Sequence, residues 1–145
     1  MEHLKTSPAP PDAREIRVWV LTNSTQLRTL RAELYQELIG SPMTDTDTLD
    51  DVPEKMMLVV TELATNAMRH GLPPSVIRLM SSGDQFVLDV ADHDPDAAPI
   101  LPGDRQAEAG GRGLQLARSF SLDVGWYATE HTKHIWATFP MHPDA

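Results

Sequence analysis

Apolar positions recur along this chain with two different periods. From Arg14 to Thr22, Ile16, Val18 and Val20 alternate with Arg17, Trp19 and Leu21. A period of two carried by β-branched residues predicts a strand. Leu27, Leu30, Leu34 and Leu38 then recur at three- and four-residue steps. That spacing predicts a helix over Gln26–Ile39, capped from Asn23, Ser24 or Thr25 and stopped at Gly40. A longer helical stripe holds Val59, Val60, Leu63, Ala64 and Ala67. It predicts a helix from Val52 to His70, with Pro53 in its first turn and Gly71 as its stop. Ser75 to Ser81 and Gln85 to Ala91 alternate on either side of Ser82-Gly83-Asp84, which is a hairpin signal. A short helix around Leu114, Leu116, Ala117 and Phe120 follows, then strands over Leu122 to Ala128 and His134 to Phe139.

The resulting order is β-α-α-β-β-α-β-β. Paired strands with helices between them predict an α+β two-layer sandwich, helices on one face of a mostly antiparallel sheet. Residues 1–13 have no period and are rich in proline, so a flexible N-terminal tail is expected before a single domain at 14–145. Residues 93–110 also lack a period. A loop of that length suits a lid or a binding loop.

Two polar residues interrupt the apolar helix, Glu62 and Asn66. They stand four apart and so share one face. A buried charge is costly unless paired, which makes both poor core fillers and suits them to the wall of a site. There Glu62 can polarise a hydroxyl and Asn66 can offer an oxygen to a hard cation such as Mg²⁺. An exposed face with Glu62 paired to an arginine is the alternative. The glycines at Gly110, Gly111 and Gly113 precede a helix, whose first N–H groups attract phosphate; a flexible helix entry would look the same. Asp92 ends a strand, as a turn residue or as an acceptor for an exocyclic amine. His3, His131, His134 and His142 have no zinc-site spacing and are expected to be solvated, and His70 suits the C-terminal end of its helix.

Composition narrows the classes. The 145 residues carry a formal net charge of −9, from 12 basic and 21 acidic side chains. That balance argues against direct nucleic-acid binding and against an anionic membrane surface. There is no cysteine, hence no disulfide and no thiolate site. No apolar run approaches the ~20 residues of a membrane span, and the first residues lack a secretory pattern, so a cytoplasmic location is expected.

A Glu-x-x-x-Asn helix, a strand ending in Asp, a long loop and a Gly-rich helix start occur in that order. The order resembles the GHKL superfamily of ATPases and kinases, with the Bergerat ATP-binding fold (histidine-kinase-like). Thr61-Glu-Leu-Ala-Thr-Asn-Ala-Met-Arg-His-Gly71 looks like that superfamily's N-box, and Gly111-Arg112-Gly113-Leu114 looks like its second glycine box. Among its members the chain is most similar to the anti-sigma-factor serine kinases of bacterial partner switching. The resemblance implies ATP and Mg²⁺ as cofactors, with Glu62 as general base, Asn66 on Mg²⁺, Asp92 on the adenine amine, and Gly110, Gly111, Arg112, Gly113 and Leu114 around phosphate. It also implies serine/threonine kinase activity toward an anti-anti-sigma (STAS-type) protein, binding of a sigma factor, and a homodimer, for which Leu27, Leu30 and Leu34 would serve either a core or the dimer face.

Two departures favour an alternative, a sequestering module without phosphoryl transfer. Asp94 and Asp96 replace the glycines that follow the Asp in the first glycine box, adding negative charge beside a triphosphate. The Gly-Thr before the last strand is replaced near Thr132-Lys133-His134, where Lys133 offers a cation within reach of phosphate.

Overall fold

The computed structural model describes residues 2–39, 52–96, 100–101 and 112–141, with side chains over 4–38, 52–96 and 115–141. The elements run β1 (Glu2–His3), β2 (Arg14–Leu21), α1 (Gln26–Ile39), α2 (Val52–His70), β3 (Ser75–Ser82), β4 (Gln85–Asp92), β5 (Ile100–Leu101), α3 (Arg112–Phe120), β6 (Asp123–Ala128) and β7 (Lys133–Pro140). Five strands form one sheet in the order β2-β3-β4-β7-β6, each pair antiparallel. The expected α+β sandwich is therefore present, with the small β1–β5 pair added. Gly83 takes a φ of 59° in the two-residue turn between β3 and β4, where Ser82 pairs with Gln85. A positive φ at the first central residue matches the twist of the flanking strands, and glycine adopts it without steric cost.

The helices bury their stripes against one sheet face. Leu30, Leu34 and Leu38 of α1 and Met56, Val59, Val60 and Leu63 of α2 meet Ile77, Leu79, Leu88 and Phe139. Leu30 and Leu34 are 0 % exposed, which assigns them to the core rather than to a dimer face; Leu27 is half-buried against the same cluster. Polar contacts fix α1 on the edge strand: the Trp19 indole N–H donates to Glu33 at 2.9 Å, and Arg17 pairs with Glu33 at 2.9 Å. Among the described residues no helix is long and apolar enough to cross a membrane.

The other sheet face is not left bare. Thr6 bridges to Trp126, the Ser7 N–H donates to the Trp126 carbonyl at 2.9 Å, and the Trp136 indole donates to the Ser7 carbonyl at 2.8 Å. Leu4 is buried. Where the sequence suggested a tail, these first residues carry contacts to β6 and β7. They had no recognisable pattern because the bonds that tie Thr6 and Ser7 to β6 and β7 are made by their backbone groups, which every sequence possesses. Pro8 to Ala13 then roof a cavity of about 420 Å³ over Arg78, Asp89, Tyr127 and His134.

His134 is a correction to the expected set of solvated histidines. Its Nδ1 lies 2.8 Å from the buried Asp89 carboxylate and its Nε2 lies 2.8 Å from the Thr132 hydroxyl. The ring stacks on Tyr127 with 4.5 Å between centroids. The partner Asp89 sits 45 residues earlier, on β4, so no local spacing announced it. Burial, then the Asp89 charge and its hydrogen bond, push the Tyr127 phenol up to about 12. An unfolded tyrosine ionises near pH 10. The folded chain thus holds this proton more tightly. The associated stability is intact below about pH 10 and is lost as pH rises through about 12. In a tyrosinate absorbance titration, one of the two tyrosines is expected to titrate late, and Tyr127→Phe should delete that late step. A late step surviving in the variant would place it on Tyr35.

Candidate functional site

The site residues gather where β4 ends and β7 begins, here the upper end of the sheet. β4 and β7 pair antiparallel, so Asp92 lies opposite Lys133, on the face that carries the helices. Asp92 is 5 % exposed and Lys133 9 %, and the ammonium stands 3.5 Å from Asp92 Oδ2. The other carboxylate oxygen, Oδ1, accepts from the Asp94 backbone N–H at 2.8 Å. A buried carboxylate is tolerated when it is paired and hydrogen-bonded in this way.

Helix α2 reaches the same place. It runs upward and closes at Gly71, whose N–H donates to the Ala67 carbonyl at 3.0 Å. A Cβ built on Gly71 would fall 2.4 Å from Asp92 Cγ and 2.5 Å from Oδ2. Only a residue without a side chain leaves the carboxylate in position, so Gly71 is more than a helix stop. The following segment is tied to β4 as well: the His93 N–H donates to the Leu72 carbonyl at 2.9 Å, and His93 Nδ1 lies 2.8 Å from the Pro74 carbonyl.

Glu62 and Asn66 are half-buried, on the flank of the apolar stripe. Lys55 shares that flank, because seven and eleven residues are close to two and three helical turns. Its ammonium lies 5.8 Å from the ring centroid of Phe120, the last residue of α3. The flank bearing Glu62 and Asn66 is therefore the one turned toward α3. Beyond α3, the Leu122 N–H donates to the Thr138 carbonyl, low on β7. Helix α3 thus descends, and its N-terminal turn points to the upper end. Arg112 opens this helix with Gly113 and Leu114 next. Gly110 and Gly111 lie outside the described residues, as do the side chains of Arg112 and Leu114.

Of the residues singled out from sequence, Asp92 stands at the upper end of the sheet, where α2 also ends, and Glu62 and Asn66 lie half-buried on the flank of α2 that Lys55 shares. Asp94 is half-buried and Asp96 exposed beside it. His70 is exposed at the end of α2, beyond the polar flank. The Lys133 ammonium, expected near phosphate, is held on Asp92 instead. Sequence reasoning missed this pair and the contact at Gly71; strand register is the signal that leads to the pair, while the Gly71 contact follows from how α2 docks on the sheet. Among the described residues, no group of three or more His, Asp or Glu side chains is placed to hold a metal ion. A divalent cation here would draw on single protein oxygens, with Asn66 the hard donor on the inward flank.

No curated protein matches the chain. The structure of the RsbU and RsbW domains of Rv1364c from Mycobacterium tuberculosis superposes with a TM-score of 0.60 at 16 % identity, covering 86 % of this chain and 32 % of that one. The present chain thus spans about a third of the length of that protein. The Acinetobacter baumannii histidine kinase AdeS superposes with a TM-score of 0.49 at 12 % identity, over 88 % of this chain and 69 % of that one. By sequence, residues 20–139 match the histidine kinase-like ATPase domain, and the chain belongs to that family.

Proposed function

We propose that the chain binds ATP with Mg²⁺ between α2 and α3 and serves as a cytoplasmic anti-sigma-factor regulator with serine/threonine kinase activity toward a STAS-type anti-anti-sigma protein. The family membership supports the ATP-binding part of this reading. The similarity of the chain to the anti-sigma-factor serine kinases within that superfamily supports the rest. The observation that carries it is Gly71 against Asp92: a buried carboxylate, aligned at a strand end beside a wall that has no side chain. That arrangement suits a flat base slid against the end of α2, its exocyclic amine donating to Asp92.

In this reading Glu62 takes the proton from the attacking hydroxyl, and Asn66 presents its carboxamide oxygen to the metal. The first turn of α3 offers backbone N–H groups to phosphate oxygens. Mg-ATP, when bound, supplies the phosphoryl group and most of the charge neutralisation. The chain's own part is to position the hydroxyl and accept its proton, with Glu62 on a rigid helix so that its carboxylate is held rather than searched for. A sigma factor and a second copy of the chain are the further partners implied. Because Leu30 and Leu34 are internal, a homodimer would use another surface.

A second reading is favoured by one feature. The Asp92 carboxylate already has a cationic partner and a backbone donor, and two further acidic residues follow it. This supports a module that sequesters its partner without turnover. Calorimetry with Mg-ATP separates the two: heat at micromolar to millimolar nucleotide fits the kinase, whereas no heat together with tight partner binding leaves the sequestering module.

Glu62→Ala is expected to lower transfer of labelled γ-phosphate to the cognate antagonist by about 10²–10⁴-fold, with nucleotide affinity little changed. Equal labelling by the variant removes Glu62 from the role of base. Gly71→Ala is expected to displace the Asp92 carboxylate and to cost about 1–3 kcal/mol of stability, as overpacking does. Wild-type protein should gain melting temperature with ATP concentration, and Gly71→Ala should not. An unchanged response in the variant would show that Asp92 has no part in holding the base.

A further inference from the structure

Lys133 is one of the few buried charges of the described chain, and the nucleotide reading gives it no task. Its ammonium is brought to Asp92 by register alone, since β4 and β7 place the two side chains directly opposite each other. An ammonium has three donors, and at 3.5 Å Lys133 meets Asp92 as an ion pair that leaves them open to a ligand. An ionised carboxylate has about four acceptor positions, of which the Asp94 N–H occupies one. Both groups therefore keep capacity for a ligand while sharing one small edge. That edge presents an acceptor and a donor side by side, both nearly sealed from water, which is where a hydrogen bond discriminates most strongly.

We infer that Lys133 reads the nucleobase together with Asp92, donating to ring position 1 of a purine whose 6-substituent donates to Asp92. The inference rests on the nucleotide reading above and adds to it a base-specificity residue. The chemistry selects adenine. Its amino group at position 6 is a donor and its N1 an acceptor, matching carboxylate and ammonium in order. Guanine and hypoxanthine carry the reverse, an oxygen at position 6 and an N–H at position 1. In the same pose the oxygen would face Asp92 and the N–H would face Lys133. Two like-signed contacts in a buried site reject a ligand more effectively than a missing contact does.

The test is a set of calorimetric titrations of the full chain with ATP, 1-deaza-ATP (which lacks the N1 acceptor) and GTP, each with Mg²⁺. The wild-type protein is expected to bind 1-deaza-ATP about tenfold or more weakly than ATP, as for a lost hydrogen bond to a charged group, and GTP more weakly still. Lys133→Met should bind ATP about as weakly as the wild type binds 1-deaza-ATP, and should no longer distinguish ATP from 1-deaza-ATP. Lys133→Gln keeps a neutral donor and should recover part of the discrimination. It also serves should the methionine variant fail to fold. Equal wild-type affinity for ATP and 1-deaza-ATP overturns the inference without touching ATP binding, and so does a Lys133 variant that discriminates as the wild type does. Absence of heat with ATP itself overturns the nucleotide reading, and this inference with it.

Discussion

The close approach of Gly71 to the Asp92 carboxylate constrains the whole upper end of the molecule. A helix that ends against a strand end normally separates from it by the width of at least one side chain. Here no side chain intervenes, and a single added carbon would lie 2.4 Å from Asp92 Cγ. The end of α2 and the end of β4 are consequently locked together, with the His93–Leu72 and His93–Pro74 hydrogen bonds on either side of the contact. Because α2 is a rigid rod, fixing its end also fixes the height and rotation of Glu62 and Asn66 further down. The polar flank of the helix and the buried carboxylate then belong to one geometry rather than two.

The core supports that geometry from below. Leu30, Leu34 and Leu38 fill the space beneath α1, while Val59, Val60 and Leu63 seat α2 on the sheet. Close-packed interiors transmit displacement, so the register of α2 on the sheet bears directly on where Glu62 points. On the opposite sheet face, the N-terminal residues and the Asp89–His134–Tyr127 cluster cover β4, which would otherwise expose Val87 and Ala91. β4 is buried on both faces along nearly its whole length, and Asp92 is its last residue.

Much of this was legible from the residues. The alternating and helical periods located α1, α2 and the main strands to within a residue or two, because amphipathic patterning is a local property of the chain. Glu62 and Asn66 stood out for the same reason, two polar groups on the margin of an apolar stripe. Asp92 was legible as a strand-end carboxylate able to accept from an exocyclic amine, but not as half of a buried ion pair. His134 was expected in solvent, and the Asp92 partner of Lys133 was not foreseen, for one cause: each residue finds its partner on a neighbouring strand, 45 and 41 residues away respectively. The first residues were passed over because they have no period and because Thr6 and Ser7 are tied to the sheet largely through backbone groups.

The amino-acid order by itself determined which segments are helices and strands, which faces turn inward, and the residue types on offer for chemistry. These follow from periods of two and 3.6 residues and from the conformational range of each residue. The tertiary structure alone decided which of those residues meet. Strand register set Asp92 opposite Lys133 and Asp89 within reach of His134, and helix docking pressed Gly71 onto a carboxylate. Such pairings depend on the sum of contacts across the whole fold, so no short stretch of sequence contains them.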